Sequence, residues 1–426
     1  MFRRLFLIIL FFSCSFSLWS ASVITDKRID LNEYDSIPML EKYFGKDDDM
    51  QSGEEQYWSR VKISLVTVTK GDEVYSYFGH QALMIEYPDG TSFMVDYGQF
   101  AFSPDFYVNF AMGRLWYWCS ASSVNLQLSA FVFNRRTATA VELNLTPKQK
   151  KAVIDFLYQN ISEENRTYMY HYYRDNCATR IRDIIDYALD GKFREWAEKE
   201  EAYTFREETS RMLSNNIFWF ALLDFLQGRN IDVKNTLWDS MFLPENLEKA
   251  VLKYSGLSSG RSYLVDSREV DVRPSDAEKP CNLIILFLSV GVALACLMFF
   301  LHYKAVKIYN ILTFIFCFIS GILGLLLFFI MFFTIHDVAW WNENILFINP
   351  LLLVVAFFTV RSSKHGTALK RLWFFFMVSI LLLIFAKIVM PSTFIQKNMA
   401  HILLMLPVYS VNFYIYFFSE KKSVVT

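Results

Sequence analysis

The stretch YYRDNCATRIRDIIDYALDG, residues 172–191, decides how the first half of this chain is read. Asp175 and Asn176 are favoured helix N-caps, because a short side-chain oxygen can take the unpaired N–H groups of a first turn. Ile181, Ile184, Ile185, Ala188 and Leu189 then recur at helical spacing, and Gly191 supplies the usual stop. The pattern predicts a helix with Cys177 in its first turn. There, unpaired backbone N–H groups and the helix dipole both favour a thiolate. Well upstream, VYSYFGH (74–80) ends in His80, which opens the strand-like run QALMIEY. The turn Pro88-Asp89-Gly90 closes that run, and TSFMVDYG follows. A lone cysteine near a helix start is more often a small buried hydrophobe than a nucleophile. Paired with an imidazole at a strand end, Cys177 becomes a candidate thiol nucleophile and His80 its base.

Composition bounds the alternatives. The chain has 426 residues, 54% of them hydrophobic and 42 of them phenylalanine, too apolar for a wholly soluble protein. A formal net charge of −1 offers no basic field for nucleic acid. Of six cysteines, Cys14 lies in an apolar leader, and Cys281, Cys296 and Cys317 lie in or beside membrane-like runs. Cys119 and Cys177 remain; they could form one disulfide, but a disulfide-dense scaffold is excluded. No CxxC or HExxH accompanies His171, and no GxSxG elbow or phosphate loop occurs, so neither metal nor cofactor is expected.

Residues 1–21 read as an export signal or N-terminal anchor, with Arg3 and Arg4 ahead of an apolar core. A catalytic domain over 22–255 is expected, α+β in class. Its strand candidates are ISLVTVT, QALMIEY, SFMVDYG and TATAVELNL. Thr146-Pro147 opens a helix, and further helical runs fall near 206–227 and 245–255. The run MLSNNIFWFALLDFL (212–226) is too short and broken to span a bilayer; it reads as a core helix, with a membrane-surface helix as the alternative. Residues 256–280, rich in Ser, Gly, Asp and Arg, read as a linker.

After Pro280 five apolar runs follow, near 283–301, 308–333, 344–360, 372–390 and 402–418, each close to the ~20 residues a helix needs to cross a bilayer. With the first domain outside, the first and third loops and the C-terminus are cytoplasmic. They carry Lys304, Lys307, Arg361, Lys364, Lys370, Arg371, Lys421 and Lys422, whereas the second and fourth loops carry only Lys397. The positive-inside rule and the export signal therefore give one topology. The external second loop holds His336-Asp337 and Trp340-Trp341: interfacial anchors, or part of a lipid or substrate site.

The order of histidine before cysteine resembles the circularly permuted branch of the NlpC/papain-like superfamily, which includes lecithin–retinol acyltransferase. More closely, the chain resembles the Lnb-type bacterial lipoprotein N-acyltransferases. The matching stretches are SLVTVTKGDEVYSYFGHQALMI (64–85), VDYGQFAFSPDFYVNFAMGRLWY (95–117), NLTPKQ (144–149) and NRTYMYHYYRDNCATRIRDII (165–185). The match extends more loosely through HDVAWWNENILFINPL (336–351).

The resemblance implies a permuted papain-like domain outside the bacterial cytoplasmic membrane, followed by a five-helix bundle. Cys177 would be the nucleophile and His80 the base. Asp96, which precedes Tyr-Gly, would orient the histidine, although a simple two-residue hairpin at Asp89-Gly90 puts Gln99 opposite His80 instead. The Cys177 N–H would serve an oxyanion. Arg180 could meet a phosphate head group or form a structural ion pair. Asn176 and His336 are further candidates for substrate contact. The implied reaction moves an acyl chain from a membrane phospholipid, through a Cys177 thioester, to the α-amine of diacylated lipoproteins. The alternatives are a membrane-anchored cysteine peptidase or amidase acting on cell-wall peptides, and a thiol phospholipase.

Overall fold

Alternating apolar side chains build the first domain around one antiparallel sheet. The computed structural model describes residues 52–101, 104–271 and 273–419; the expected export segment 1–21 lies outside them. Helix α1 (Ser52–Arg60) leads into β1 (Lys62–Val68), β2 (His80–Glu86), β3 (Ser92–Gln99), α2 (Pro104–Met112) and β4 (Trp116–Ser123). Then come α3 (Val124–Phe133), β5 (Ala138–Leu143), α4 (Pro147–Ile161), β6 (Thr167–Met169) and α5 (Cys177–Ala188). The domain closes with α6 (Phe205–Met212), α7 (Ile217–Leu226), α8 (Pro244–Lys253) and β7 (Ser258–Val265). The seven strands lie in the order β6-β4-β3-β2-β1-β5-β7, each neighbouring pair antiparallel.

Strand alternation divides the core in two. Ile63, Leu65, Leu83, Ile85, Val95 and Tyr97 pack with residues of α4, α5 and α8. Val66, Val68, Ala82, Met84 and Met94 form the opposite cluster with Val124 and Phe131 of α3. The sequence had marked four of these strands. β4 escapes because its second half, Ser120 to Ser123, lacks apolar alternation. The expected linker is corrected in part: Ser258–Val265 is β7, paired with β5. An edge strand needs only backbone pairing on one side, and the outward side chains of β7 carry no hydrophobic signal. The 212–226 run splits at Asn216, whose side-chain oxygen caps α7 by accepting from the Trp219 N–H at 3.3 Å. Phe220 and Phe225 of α7 are buried, as a core helix requires, while Ile217 and Phe218 stay exposed.

Five helices long and apolar enough to cross a membrane follow. They are α9 (Ile284–Lys304), α10 (Val306–Phe333), the span Glu343–Val360 containing α11 (Leu351–Val360), α12 (Ser362–Val389) and α13 (Met399–Phe417). Small residues allow close helix approach: a Cβ on Gly291 of α9 would stand 2.5 Å from the Leu404 carbonyl oxygen of α13. Both even-numbered loops dock on the first domain. Gly228 donates its N–H to the Val338 carbonyl at 2.8 Å, and Asn342 Nδ2 donates to the Phe225 carbonyl at 2.8 Å. From the fourth loop, Gln396 Nε2 donates to the Gln227 carbonyl at 3.1 Å, and Lys397 donates its N–H to Asp232. On the first-domain side buried Arg206 holds the docking segment in place, pairing with Asp224 at 2.8 Å and Asp232 at 2.9 Å and donating to the Gln227 carbonyl. These are the two loops whose lack of positive charge had put them on the side of the first domain.

Candidate active site

Asn176 starts α5 as the sequence suggested. Its Oδ1 accepts from the N–H groups of Ala178 and Thr179, both at 2.9 Å, and Thr179 Oγ1 accepts from the Asn176 N–H at 2.8 Å. Its Nδ2 donates to the carbonyls of Tyr172 and Phe242. With the amide side chain fully engaged, Asn176 positions the helix and has no group left for a substrate. Cys177 is the first helical residue, and among the described residues no acceptor takes its own N–H. That donor points from a helix terminus, where an oxyanion is best stabilised.

His80 begins β2, with a fifth of its side chain open to solvent, and the Cys177 thiol is close enough to act on its imidazole. Burial alone would lower its pKa. The Cys177 thiol and the Asp96 charge outweigh that and raise it above the ordinary 6.5. Cys119 is the internal contrast: free and fully buried in β4, its thiol is pushed up to about 12 mainly by burial.

The β2–β3 connection settles the register left open by the sequence. Glu86 pairs with Ser92 and Ala82 with Asp96, and the Tyr87 N–H donates to the Thr91 carbonyl, so residues 88–90 form a loop one residue longer than the simple hairpin needs. Asp96 therefore shares a face with His80, and its Oδ1 lies 3.9 Å from His80 Nε2, a charge contact rather than a hydrogen bond. The carboxylate is almost fully buried and held from three sides. Gly98 N–H and Gln99 Nε2 donate to Oδ1 at 3.1 and 3.0 Å, and Gln127 Nε2 donates to Oδ2 at 2.8 Å. Gln99 holds Asp96 rather than replacing it. Gly98 was not singled out by the sequence, yet the imidazole lies across it: a Cβ there would stand 2.7 Å from His80 Cε1.

Arg180 is engaged elsewhere. It forms a two-pronged ion pair with Asp175, at 2.5 and 2.8 Å, and stacks 3.8 Å above the Tyr168 ring. The cation that the site presents is Arg136, which sequence reading missed. Its guanidinium is close enough to interact electrostatically with both Cys177 and His80. Burial and the neighbouring Arg273 bring its pKa down to about 10. Arg136 Nε donates to the Thr69 carbonyl at 2.7 Å, whereas Nη2 is buried with no partner among the described residues. Only tertiary packing reveals it, since the Arg135-Arg136 pair after a helix carries no motif. His336 stands at the outer end of α10, its Nε2 2.9 Å from the Phe110 carbonyl and its ring stacked on Tyr172. The next residue, Asp337, binds His171 Nε2 at 2.9 Å. Among the described residues no cluster of His, Cys, Asp and Glu is arranged to hold a metal ion.

Comparison with known proteins adds two matches. Residues 54–214 match the family model of the Lnb N-terminal periplasmic domain, and residues 274–423 match that of the Lnb transmembrane domain. No curated protein and no solved structure matches.

Proposed function

We propose that this chain, which belongs to the Lnb family in both of its domains, is a lipoprotein N-acyltransferase at the outer face of the bacterial inner membrane. The first domain is taken as a permuted papain-like unit in the periplasm, its export directed by residues 1–21. In the first half-reaction the Cys177 thiolate attacks an ester carbonyl of a membrane phospholipid. The C–S bond forms, the ester C–O bond breaks, and the His80 imidazolium gives its proton to the departing oxygen of the lysophospholipid. In the second, neutral His80 takes a proton from the α-amine of a diacylglyceryl-cysteine lipoprotein as that amine attacks the thioester. An amide forms, the C–S bond breaks, and the imidazolium–thiolate pair is restored. The Cys177 N–H serves both tetrahedral oxyanions. Asp96 keeps the imidazolium favourable from 3.9 Å, and Arg136 takes the role first given to Arg180, meeting the phosphate of the donor.

The observation that carries this reading is the His80–Cys177 pair on a domain joined through both outer loops to a five-helix membrane bundle. A soluble substrate would need the pair but not the bundle; two lipid substrates need both, because the gain is proximity at the membrane surface.

The test is mass spectrometry of lipoprotein N-terminal lipopeptides, from cells in which this chain replaces the resident N-acyltransferase. Wild type should give a third acyl chain as an α-amide, and Cys177→Ala should abolish it while the protein still accumulates in the membrane. Diacylated lipoproteins despite well-expressed wild type would reject the proposal; free fatty acid with lysophospholipid would mark a hydrolase, and cleaved cell-wall peptides a peptidase.

A further inference from the structure

Helix α2 has an unusual sequence for a water-exposed element: PDFYVNFAM, with Asp105 its only charge. Tyr107 and Val108 are each about two-thirds exposed, at 68% and 65%, and Phe110 is half-exposed. Such an apolar face calls for a partner. The helix is fastened to the outer end of α10, where Ile335 donates its N–H to the Met112 carbonyl at 3.0 Å and His336 meets the Phe110 carbonyl. Phe333 and Ile335 beside that junction are also exposed. The apolar face of α2 thus continues the lipid-facing surface of a membrane span.

Behind this face the aromatic rings form a closed circuit. Phe110 touches Phe106 at 6.0 Å, Phe106 stacks on Phe100 at 5.5 Å, and Phe100 meets Tyr117 at 5.0 Å. Tyr117 stacks on Tyr170 at 4.5 Å, Tyr170 meets Tyr172 at 6.0 Å, and Tyr172 stacks on His336 at 6.2 Å. His336 closes the circuit on Phe110 at 6.4 Å. The far side of the circuit is at the nucleophile, since Tyr117 and Tyr170 both lie within electrostatic reach of Cys177. Phenylalanine therefore dominates at α2 and tyrosine near the thiol. That gradient suits a ligand with an apolar tail and a polar carbonyl end, because a tyrosine ring packs against hydrocarbon while its hydroxyl can hydrogen-bond.

We propose that α2 lies in the outer-leaflet interface and that the aromatic circuit behind it is the passage by which a lipid acyl chain reaches Cys177. The passage deepens the acyl-donor reading and rests on it; the membrane seating of α2 does not. The occupant is phospholipid because the patch is uncharged, aromatic and continuous with a membrane span.

Photocrosslinking tests both parts. Full-length Cys177→Ala protein is reconstituted in phosphatidylethanolamine–phosphatidylglycerol vesicles, with benzoylphenylalanine replacing Tyr107 or Phe106 in separate samples. Ile319, in mid-span on α10, serves as the lipid-exposed control, and Tyr263, on edge strand β7 at the opposite side of the sheet from β6, as the solvent control. Irradiation and mass spectrometry should find phospholipid adducts at 107 and 106 at least fivefold above 263, those at 106 on the acyl chain. Adducts at 319 with only background at 107 and 106 would overturn the proposal, and adducts at 107 without 106 would overturn the passage. Should the Phe106 variant fail to fold, Phe100, in the same circuit but outside α2, replaces it. No turnover is involved, so adducts from a chain that leaves lipoproteins diacylated would reject the acyltransferase reading and leave the seating of α2 standing.

Discussion

The sheet domain and the helix bundle obey opposite solvent rules with the same side chains. In the sheet domain, leucine, isoleucine and valine fill two clusters on the faces of one sheet. In the bundle, α9 is only 11% buried across its most apolar window, and Ile285, Leu286 and Leu288 point outward. A single apolar side chain exposed to water, such as Phe133 at the end of α3, costs little. Outward residues of α9 and α10 instead define the bundle's solvent as lipid. The polar groups that fix how the two regions meet reach across their seam: His171 with Asp337 at 2.9 Å, Gln396 with the Gln227 carbonyl, and the Lys397 N–H with Asp232, itself held by Arg206. The comparison teaches that neither region contains the whole site. The thiol belongs to one, the membrane-facing surface to the other, and these polar contacts hold them in register.

Arg206→Met should break that register with the largest effect. Removing one partner of a buried ion network leaves two carboxylates uncompensated, at a cost of roughly 3–5 kcal/mol. Thermal unfolding in detergent should shift strongly downward, and an unchanged midpoint would mean that the seam is not a structural keystone. The solvent rule itself is tested by placing the same residue in both regions. Ile319→Asp should impair membrane insertion by ~2.5–3.5 kcal/mol, whereas Phe133→Asp should change stability by no more than about 0.5 kcal/mol. Equal amounts of both variants in the membrane fraction would contradict it.

Within the sheet domain, Gly98→Ala should displace His80 and lower the rate of thioester formation by roughly 10- to 100-fold, the usual penalty for a misplaced catalytic group. The helix content should stay unchanged, and a rate equal to wild type would show that the imidazole does not need the space. The smallest effect is expected from Asp96→Asn. Asp96 helps raise the pKa of His80, so the imidazolium persists to higher pH than an isolated histidine allows. Losing that charge should move the alkaline limb of the single-turnover pH profile to lower pH, by roughly half a unit. A shift to higher pH would show that Asp96 does not act on His80 through its charge.

Much of this molecule is legible from short stretches of sequence. Caps are local, so Asn176 and the isoleucines after it were enough to start a helix at Cys177. Membrane spans are local too: length and apolarity marked five of them, and lysine and arginine counts placed their loops before any docking contact was seen. Three strands escaped: β4 and β7 because each lacks apolar alternation, in the serine-rich half of one and along the exposed edge of the other, and β6 because three residues are too few to show it.

The sequence by itself thus determined the helix that carries the thiol, the strand that carries the imidazole, the number of spans and their direction. All of these follow from interactions between residues that are near neighbours in the chain. The tertiary structure alone decided that Asp96 shares a face with His80, because one extra loop residue shifts a two-residue pleat. It alone paired Arg180 with Asp175, left Arg136 Nη2 without a partner among the described residues, and closed seven aromatic rings between α2 and Cys177. Charge pairing and ring contact depend on which distant segments pack together, and no local pattern encodes that.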